Sequence, residues 1–187
     1  MKNGRKILGT VLIFAMLIGM VGCGSKAEVS QSGSVYPDAV SALQAAWDNF
    51  AADFPVFGGS VDQPVDNGPG NVNLQDVDFM TYTLLVPESV QGNVTDLASV
   101  MHMMNANTFT AAAVQVQNEV PEKTAAAITD HFMGTQFMCG IPEKIVVLTA
   151  DGYVIYAYGE AEIVDGFADS VLTLDGAKVL EDRYYGN

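Results

Sequence analysis

Cysteine and basic residues are both scarce in this chain. Its two cysteines, Cys23 and Cys139, form none of the paired-cysteine patterns that mark zinc sites. The chain has eight lysines and arginines and 22 acidic residues, which gives a formal net charge of −14. Phosphate backbones and anionic lipid head groups repel such a surface. The composition therefore excludes nucleic acid as a partner. The acidic charge is best explained as an aid to solubility, and attraction of cations is the second explanation.

The sequence patterns of familiar catalytic sites are absent as well. There is no phosphate loop, nucleophile elbow or dinucleotide fingerprint. Carboxylates are so abundant that no single pair stands out for acid–base chemistry. Residues 71–78 alternate oxygen-bearing side chains as calcium loops do, but they lack the sixth-position glycine and the closing glutamate. We therefore predict a protein that is not an enzyme and has no cofactor.

The N-terminus has the features of an export signal. Three basic residues within the first six precede an apolar run over 7–21. This run is shorter than the ~20 residues that a helix needs to span a bilayer. It ends in Met20-Val21-Gly22-Cys23, which resembles the bacterial lipobox, although leucine is commoner at the first position. We predict that residues 1–22 are a lipoprotein signal peptide and that Cys23 is lipidated after cleavage.

Lipidation of Cys23 would hold the mature chain on the extracytoplasmic face of the cell membrane through acyl chains, palmitate among them. Burial contributes about 0.8 kcal/mol per CH2, and one acyl chain alone binds only weakly, so two chains are needed. Loss of residues 1–22 removes three basic residues and no acids, which brings the mature chain near −17. The membrane partner is then the lipid itself, within the cell envelope. An uncleaved anchor and ordinary secretion are the alternatives.

The second cysteine, Cys139, has no partner for an intramolecular disulfide once Cys23 is lipidated. It follows Phe137 and Met138, and a lone cysteine in such surroundings is most often a small buried hydrophobic residue. We therefore expect Cys139 to be largely buried.

The exported part divides into a tether and one domain. Residues 23–35 are small and polar without periodicity, and ~12 such residues span roughly 20 Å. Residues 36–187 suffice for one well-buried core. We predict a single α+β domain there. It would have one mixed β-sheet of about four strands, covered by three to four helices, with a C-terminal β-hairpin followed by a helix.

Periodicity predicts where the elements of this domain lie. Apolar residues recur at helical spacing in 37–50, 121–136 and 163–171, and a shorter stripe predicts a helix from residue 95 to residue 104.

Four runs rich in β-branched and aromatic residues predict strands, at 79–86, 108–117, 145–149 and 153–158. The last two flank Asp151-Gly152, a strong hairpin signal.

The order of these features resembles a family of uncharacterised small lipoproteins from Gram-positive-type anaerobic bacteria, which carry a domain of unknown function. The resemblance rests on the lipobox, the polar tether, the opening helix, the Asp-Leu-Ala segment at 96–98, and Pro142-Glu143-Lys144 leading into the hairpin. It covers most of residues 36–172. It implies a surface-displayed α+β domain and transfers no site residues.

Soft metal ligands gather in three short segments around the histidines and the second cysteine, at 101–104, 131–133 and 138–139. Thioether, thiolate and imidazole together suit Cu(I). The candidate ligands are His102, Met103, His131 and Cys139. Met101 and Met104 are instead expected in the core, on the apolar stripe of the predicted helix. Nothing in the sequence brings the candidates together, so we expect copper binding to be weak and poorly stoichiometric.

A cysteine-based enzyme is the other alternative. Cys139 would need His102 or His131 within hydrogen-bond distance, and an orienting group such as Asn105. We expect at most one histidine close to the thiol. The leading hypothesis is therefore a non-catalytic binding or interaction module for an unknown extracytoplasmic ligand or protein.

The candidate surface of this module combines a long segment and exposed tyrosines. Residues 54–75 show little regular pattern and are predicted to be a loop, and a loop of this length is usually functional or mobile. Amphipathic aromatic side chains serve recognition well.

Overall fold

An eight-stranded antiparallel sheet with helices on both faces is the framework of residues 34–186, the part of the chain that the computed structural model describes. Its strands are β1 (Val56–Gly58), β2 (Val65–Asp66), β3 (Gly70–Asn71), β4 (Val94–His102), β5 (Phe109–Val116), β6 (Lys144–Ala150), β7 (Tyr153–Gly159) and β8 (Lys178–Tyr184). The helices are α1 (Ala39–Trp47), α2 (Glu88–Gln91), α3 (Pro121–Gly134) and α4 (Ala161–Val171), with a π-helical segment at Phe79–Thr83.

The order of strands across the sheet is β2-β1-β4-β5-β7-β6-β8, and β3 pairs with β4 beside β1. Every pairing is antiparallel. The four longest apolar strands, β4 to β7, lie in the middle, and the exposed strands β2 and β8 form the edges. Burial on both faces explains why the central strands contain almost no charged side chain.

Each face of the sheet has its own hydrophobic core because successive strand residues point to opposite sides. In β7, Tyr153 and Ile155 face α1 and α4, whereas Val154, Tyr156 and Tyr158 face α3 and the π-helical segment. Burial of each such large side chain contributes about 1.5–3 kcal/mol. The sheet is therefore the middle layer of three.

The prediction of a mixed sheet of about four strands is wrong, although the α+β class is right. The sheet has eight strands and is wholly antiparallel, with five helical segments over the residues described. Three of the four strand predictions and three of the four helix predictions agree with the structure. The sequence around 108–117 forms β5, the Asp151-Gly152 hairpin forms β6 and β7, and the three long helical stripes form α1, α3 and α4.

The run 79–86 does not form the predicted strand. It turns through the π-helical segment and then through Leu85, whose φ is 58°. Asp76 caps the start of this helical turn, since its side chain accepts a 3.0 Å hydrogen bond from the Phe79 N–H. Most of the run is apolar because it covers the α3 face of the sheet, and hydrophobicity alone does not distinguish this role from a buried strand.

The predicted helix at 95–104 is the central strand β4. Leu97 and Met101 point into one core and Ala98 and Val100 into the other. A strand that is buried on both sides has apolar residues pointing to both faces, so some of them also fall at helical spacing.

The predicted loop 54–75 contains three short strands that extend the sheet edge. The backbones approach so closely there that a Cβ on Gly58 would collide with the carbonyl oxygens of Gly68 and Ser99. The C-terminal tail likewise pairs with β6 as β8. Neither edge has the strong apolar alternation that identifies a half-buried strand from sequence.

The predicted signal peptide at 1–22, Cys23 and nearly all of the tether fall outside the described residues. Between residues 34 and 186, none of the helices has the length and apolar character needed to cross a membrane.

Candidate functional site

The two ends of the sheet differ in chemistry. One end carries the β6–β7 turn with Asp151. The other end carries residues 103–108, between β4 and β5, and residues 135–143, between α3 and β6; we call these segments the distal loops. The seven residues of β6 separate the two ends by roughly 20 Å.

The chain leads into the domain at the Asp151 end. One Asp151 carboxylate oxygen accepts hydrogen bonds from the Ser34 hydroxyl at 2.8 Å, the Val35 N–H at 2.6 Å and the Tyr36 N–H at 3.0 Å. Partial burial alone would raise the pKa of this carboxyl group, but the three hydrogen bonds outweigh it and the pKa is lowered. The start of the described chain is therefore tied to the turn opposite the distal loops.

Two asparagine side chains join the distal loops. Asn105 Nδ2 donates a 3.1 Å hydrogen bond to the Cys139 carbonyl oxygen. Asn107 Nδ2 donates to the same oxygen at 3.4 Å and to the Gly140 carbonyl oxygen at 2.9 Å. Segments that are 32–34 residues apart in sequence thus form one surface.

His102, at the end of β4, holds the first distal loop in shape. Its Nδ1 accepts hydrogen bonds from the Met104 N–H at 3.1 Å and the Asn105 N–H at 3.2 Å, while its ring lies 5.3 Å from that of Phe54. Because Nδ1 supplies the lone pair, the proton of the neutral ring is on Nε2. In this arrangement His102 has no free lone pair with which to act as a base or a metal ligand.

Cys139 is exposed, so the expectation that it would be buried is wrong. Its neighbour Met138 is 93% exposed, and Met104 is 81% exposed rather than in the core. Met101, by contrast, is buried as expected. Met103, a predicted metal candidate, is also exposed on the distal loops. The structure therefore brings Cys139 and three methionines onto one pair of joined loops.

His131 lies elsewhere, on α3. Its Nε2 is 3.1 Å from the Thr81 carbonyl oxygen in the π-helical segment. No hydrogen bond of the described chain links it to His102 or Cys139. Residues 34–186 contain no group of three or more His, Cys, Asp or Glu side chains arranged to hold a metal ion.

A shallow cavity of about 350 Å³ opens beside the distal loops. It is lined by Ile141, Pro142, Glu143, Tyr184 and Tyr185. The Glu143 carboxylate accepts a 2.9 Å hydrogen bond from the Ala161 N–H at the start of α4, so its position is fixed.

Lys144 stabilises the same end of the sheet from inside. Its buried ammonium group contacts Asp165 at 2.6 Å and Asp182 at 3.0 Å and lies 4.9 Å from the centre of the Tyr184 ring. Desolvation would lower the pKa of Lys144, but the hydrogen bonds to the two carboxylates outweigh it and the pKa is raised. The group is a structural connection between β6, α4 and β8.

The predicted tyrosine surface is largely absent. Tyr153, Tyr156 and Tyr158 are buried in the two cores, whereas Tyr82 is 74% exposed and Tyr184 is about half exposed. A second shallow cavity, of about 490 Å³, borders the predicted 54–75 loop and is lined by Val61, Asp62, Asn73, Gln75 and Asp76.

The sequence did not identify Met104 or Met138 as candidate ligands, it suggested Asn105 only as the orienting group of an enzyme, and it gave no role to Asn107. Met104 was misplaced because residues 95–104 were predicted to be a helix. With 94–102 as a strand, Met104 lies in the following loop and not in the core. A polar Asn-x-Asn between two strands is a turn signal that could have supported this assignment.

Comparison of the chain with protein families, with curated proteins and with solved structures finds no match. The resemblance to small anaerobe lipoproteins therefore stays a prediction.

Proposed function

We propose that this chain is an extracytoplasmic lipoprotein, anchored in the cell membrane through acylated Cys23, whose domain is a non-catalytic binding module. The distal loops are its binding surface. The proposal rests on the hydrogen bonds that Ser34 and Tyr36 donate to Asp151, at the end of the sheet opposite the distal loops. A tether that leads into the domain at one end leaves the other end free for a ligand.

The exposed side chains of the distal loops support a binding role. Met104 and Met138 leave most of their apolar surface in water, whereas Met80 and Met101 are buried. Exposed apolar groups that cluster on a monomer often mark an interaction surface, and methionine is common in adaptable surfaces of this kind. The engagement of His102 Nδ1 by the loop backbone argues against a cysteine–histidine catalytic pair, which needs that lone pair.

The anchor is tested by replacing its cysteine. Cys23→Ser should abolish incorporation of a labelled fatty acid and release the protein from the membrane fraction, while Cys139→Ser should change neither. Normal lipid labelling of the Cys23→Ser variant would contradict the anchor.

The binding surface is tested by thiol labelling with a membrane-impermeant maleimide. Cys139 should react in intact cells, which also tests the extracytoplasmic location, but several-fold more slowly than in the purified full chain. The matched control is Ser89→Cys in a Cys139→Ser background, because Ser89 is exposed on α2. This control thiol should react equally fast in both settings. Equal rates for Cys139 as well would mean that nothing covers the distal loops.

A further inference from the structure

The described methionines divide sharply by position. Of the six in residues 34–186, Met80 and Met101 are buried and Met133 is half-buried. The three exposed methionines, Met103, Met104 and Met138, all lie on the distal loops, which also carry the exposed Cys139. An exposed methionine leaves its apolar surface in water, at a cost of about 25 cal/mol per Å². A ligand that covers these side chains would recover that energy.

The asparagine bridges join the two loops that carry these four sulfur atoms. Asn105 directly follows Met104, and its side chain reaches the backbone carbonyl of Cys139 at 3.1 Å. Met138 directly precedes Cys139. Unpacked methionine side chains have three rotatable bonds and can adjust to a shared ligand. The first of the two loops connects the central strands β4 and β5, and the second connects α3 to the central strand β6.

The chemistry of this donor set is unusually uniform. His102 uses its Nδ1 lone pair within its own loop, so imidazole is not a donor here. What remains is one thiol and three thioethers. Such soft donors select Cu(I), whereas Ca²⁺ and Mg²⁺ require oxygen ligands. The acidic balance of the chain favours the approach of any cation.

We propose that Met104, Met138 and Cys139, with Met103 as the fourth sulfur donor, bind one soft monovalent cation of the Cu(I) class. Binding displaces the Cys139 thiol proton to solvent, and the metal–thiolate bond forms without any change in oxidation state. This inference rests on the proposed function, since it names the ligand of the same distal loops. It revises the ligand set expected from the sequence by removing both histidines and adding Met104 and Met138, and it replaces the expectation of weak, poorly stoichiometric copper binding.

The test is an anaerobic titration of the full chain, purified in detergent, with Cu(I) in competition with a chromogenic Cu(I) chelator. We expect one equivalent per chain and a thiolate-to-copper absorption band in the ultraviolet. Loss of an outer-shell partner typically weakens a metal site by about 10–100-fold, so loss of a direct ligand should cost at least as much. Cys139→Ser should abolish stoichiometric binding, and Met104→Leu and Met138→Leu should each weaken it by about tenfold or more.

Met133→Leu is the matched control, since it makes the same substitution at a half-buried position on α3 and should leave the affinity unchanged. Circular dichroism and thermal melting should show that the exposed Met→Leu variants fold as the parent does. Three results would overturn the proposal: substoichiometric copper, equal or tighter binding of Zn²⁺, or full affinity in both methionine variants.

The thiol-labelling experiment separates this inference from the proposed function. If Cys139 is protected in cells and a Cu(I) chelator restores its reactivity, the metal is the ligand. If the protection survives the chelator and the titration also fails, the metal proposal is wrong and the binding surface still stands. If the purified chain binds Cu(I) but Cys139 is unprotected in cells, the proposed surface is unused there while the metal site is real.

Discussion

The Asp151 carboxylate and the backbone N–H of Tyr36, 115 residues apart in sequence, are joined by a 3.0 Å hydrogen bond. With the bonds from Ser34 and Val35, this contact ties the start of the domain to the β6–β7 turn. The described chain therefore enters the domain at the end of the sheet opposite the distal loops, and the predicted tether would reach it there.

The pH dependence of this contact follows from its electrostatics. Hydrogen bonding holds the pKa of Asp151 below its ordinary value. The ionised carboxylate therefore makes its full contribution to the free energy of unfolding above the unfolded pKa of about 3.9, and this contribution is lost as pH falls through the folded pKa. Asp151→Asn keeps a residue that tolerates the φ of 50° at this position. We expect a loss of about 1 kcal/mol in the free energy of unfolding at pH 7, which shrinks towards pH 3.

Urea denaturation at both pH values measures this loss. Asp175→Asn, in the exposed turn before β8, is the control and should change the free energy of unfolding by less than about 0.5 kcal/mol. An Asp151→Asn penalty that grows on acidification would contradict the assigned direction of the pKa shift.

The boundary of the tether gives a second prediction. The Ser34 hydroxyl oxygen lies 2.8 Å from the Asp151 carboxylate and 2.7 Å from the Tyr36 carbonyl oxygen, so its single proton is shared between two acceptors. Ser34 and Val35, which the sequence places in the predicted tether, thus contact the domain. Ser34→Ala should cost about 1 kcal/mol and lower Tm by about 2–4 °C.

A double-mutant cycle sharpens this second test. The effects of Ser34→Ala and Asp151→Asn should be less than additive, because both remove the same contact. Additive losses would mean that the two residues act independently.

Buried tyrosines predict alkaline destabilisation. Burial raises the pKa of Tyr158 to about 12 and raises that of Tyr156 well above its ordinary value. Folding favours the neutral phenol. The buried phenols therefore make their full contribution to the free energy of unfolding below the unfolded pKa of about 10, and this contribution is lost as pH rises towards the folded pKa. The free energy of unfolding should therefore fall between about pH 10 and pH 12.

Tyr158→Phe should flatten this alkaline decline while costing about 1 kcal/mol at pH 7, because the phenol donates a 2.6 Å hydrogen bond to the Thr83 carbonyl oxygen. Chemical denaturation across this pH range is the measurement. The exposed Tyr82→Phe variant is the control and should keep the parental slope. An unchanged slope in Tyr158→Phe would mean that another group causes the decline.

Two glycines with opposite surroundings provide a prediction about the sheet edge. A Cβ on Gly58 meets backbone on several sides, whereas a Cβ on Gly134 at the end of α3 meets nothing within 4 Å. Gly58→Ala should destabilise by more than about 2 kcal/mol, since backbone cannot move aside cheaply. Gly134→Ala should be neutral or stabilise by up to about 1 kcal/mol. Thermal melting compares the pair, and equal effects would refute the close packing of β1 and β3.

Local patterns predicted those elements whose surroundings are simple. The helices α1, α3 and α4 each bury one face, so their 3.6-residue periodicity is visible in the sequence. The β6–β7 hairpin is visible because Asp151-Gly152 supplies the positive φ values that its tight turn requires.

The same reasoning fails at β4 and at 79–86. Both are rich in apolar residues, and the spacing of these residues alone does not distinguish a strand buried on both faces, a buried π-helical turn and the stripe of a helix. One wrong assignment then propagated to the candidate site. A helix at 95–104 puts Met104 in the core, whereas a strand ending at His102 puts it in an exposed loop.

The amino-acid sequence by itself determined the α+β class, the three long helices, the hairpin and the acidic surface, because propensity, periodicity and charge are local or additive properties. Tertiary structure alone decided the eight-stranded order, the exposure of Cys139 and the joining of the distal loops by Asn105 and Asn107. These features depend on contacts between residues 32–34 positions apart or more, and no local pattern encodes which distant carbonyl an asparagine side chain will meet.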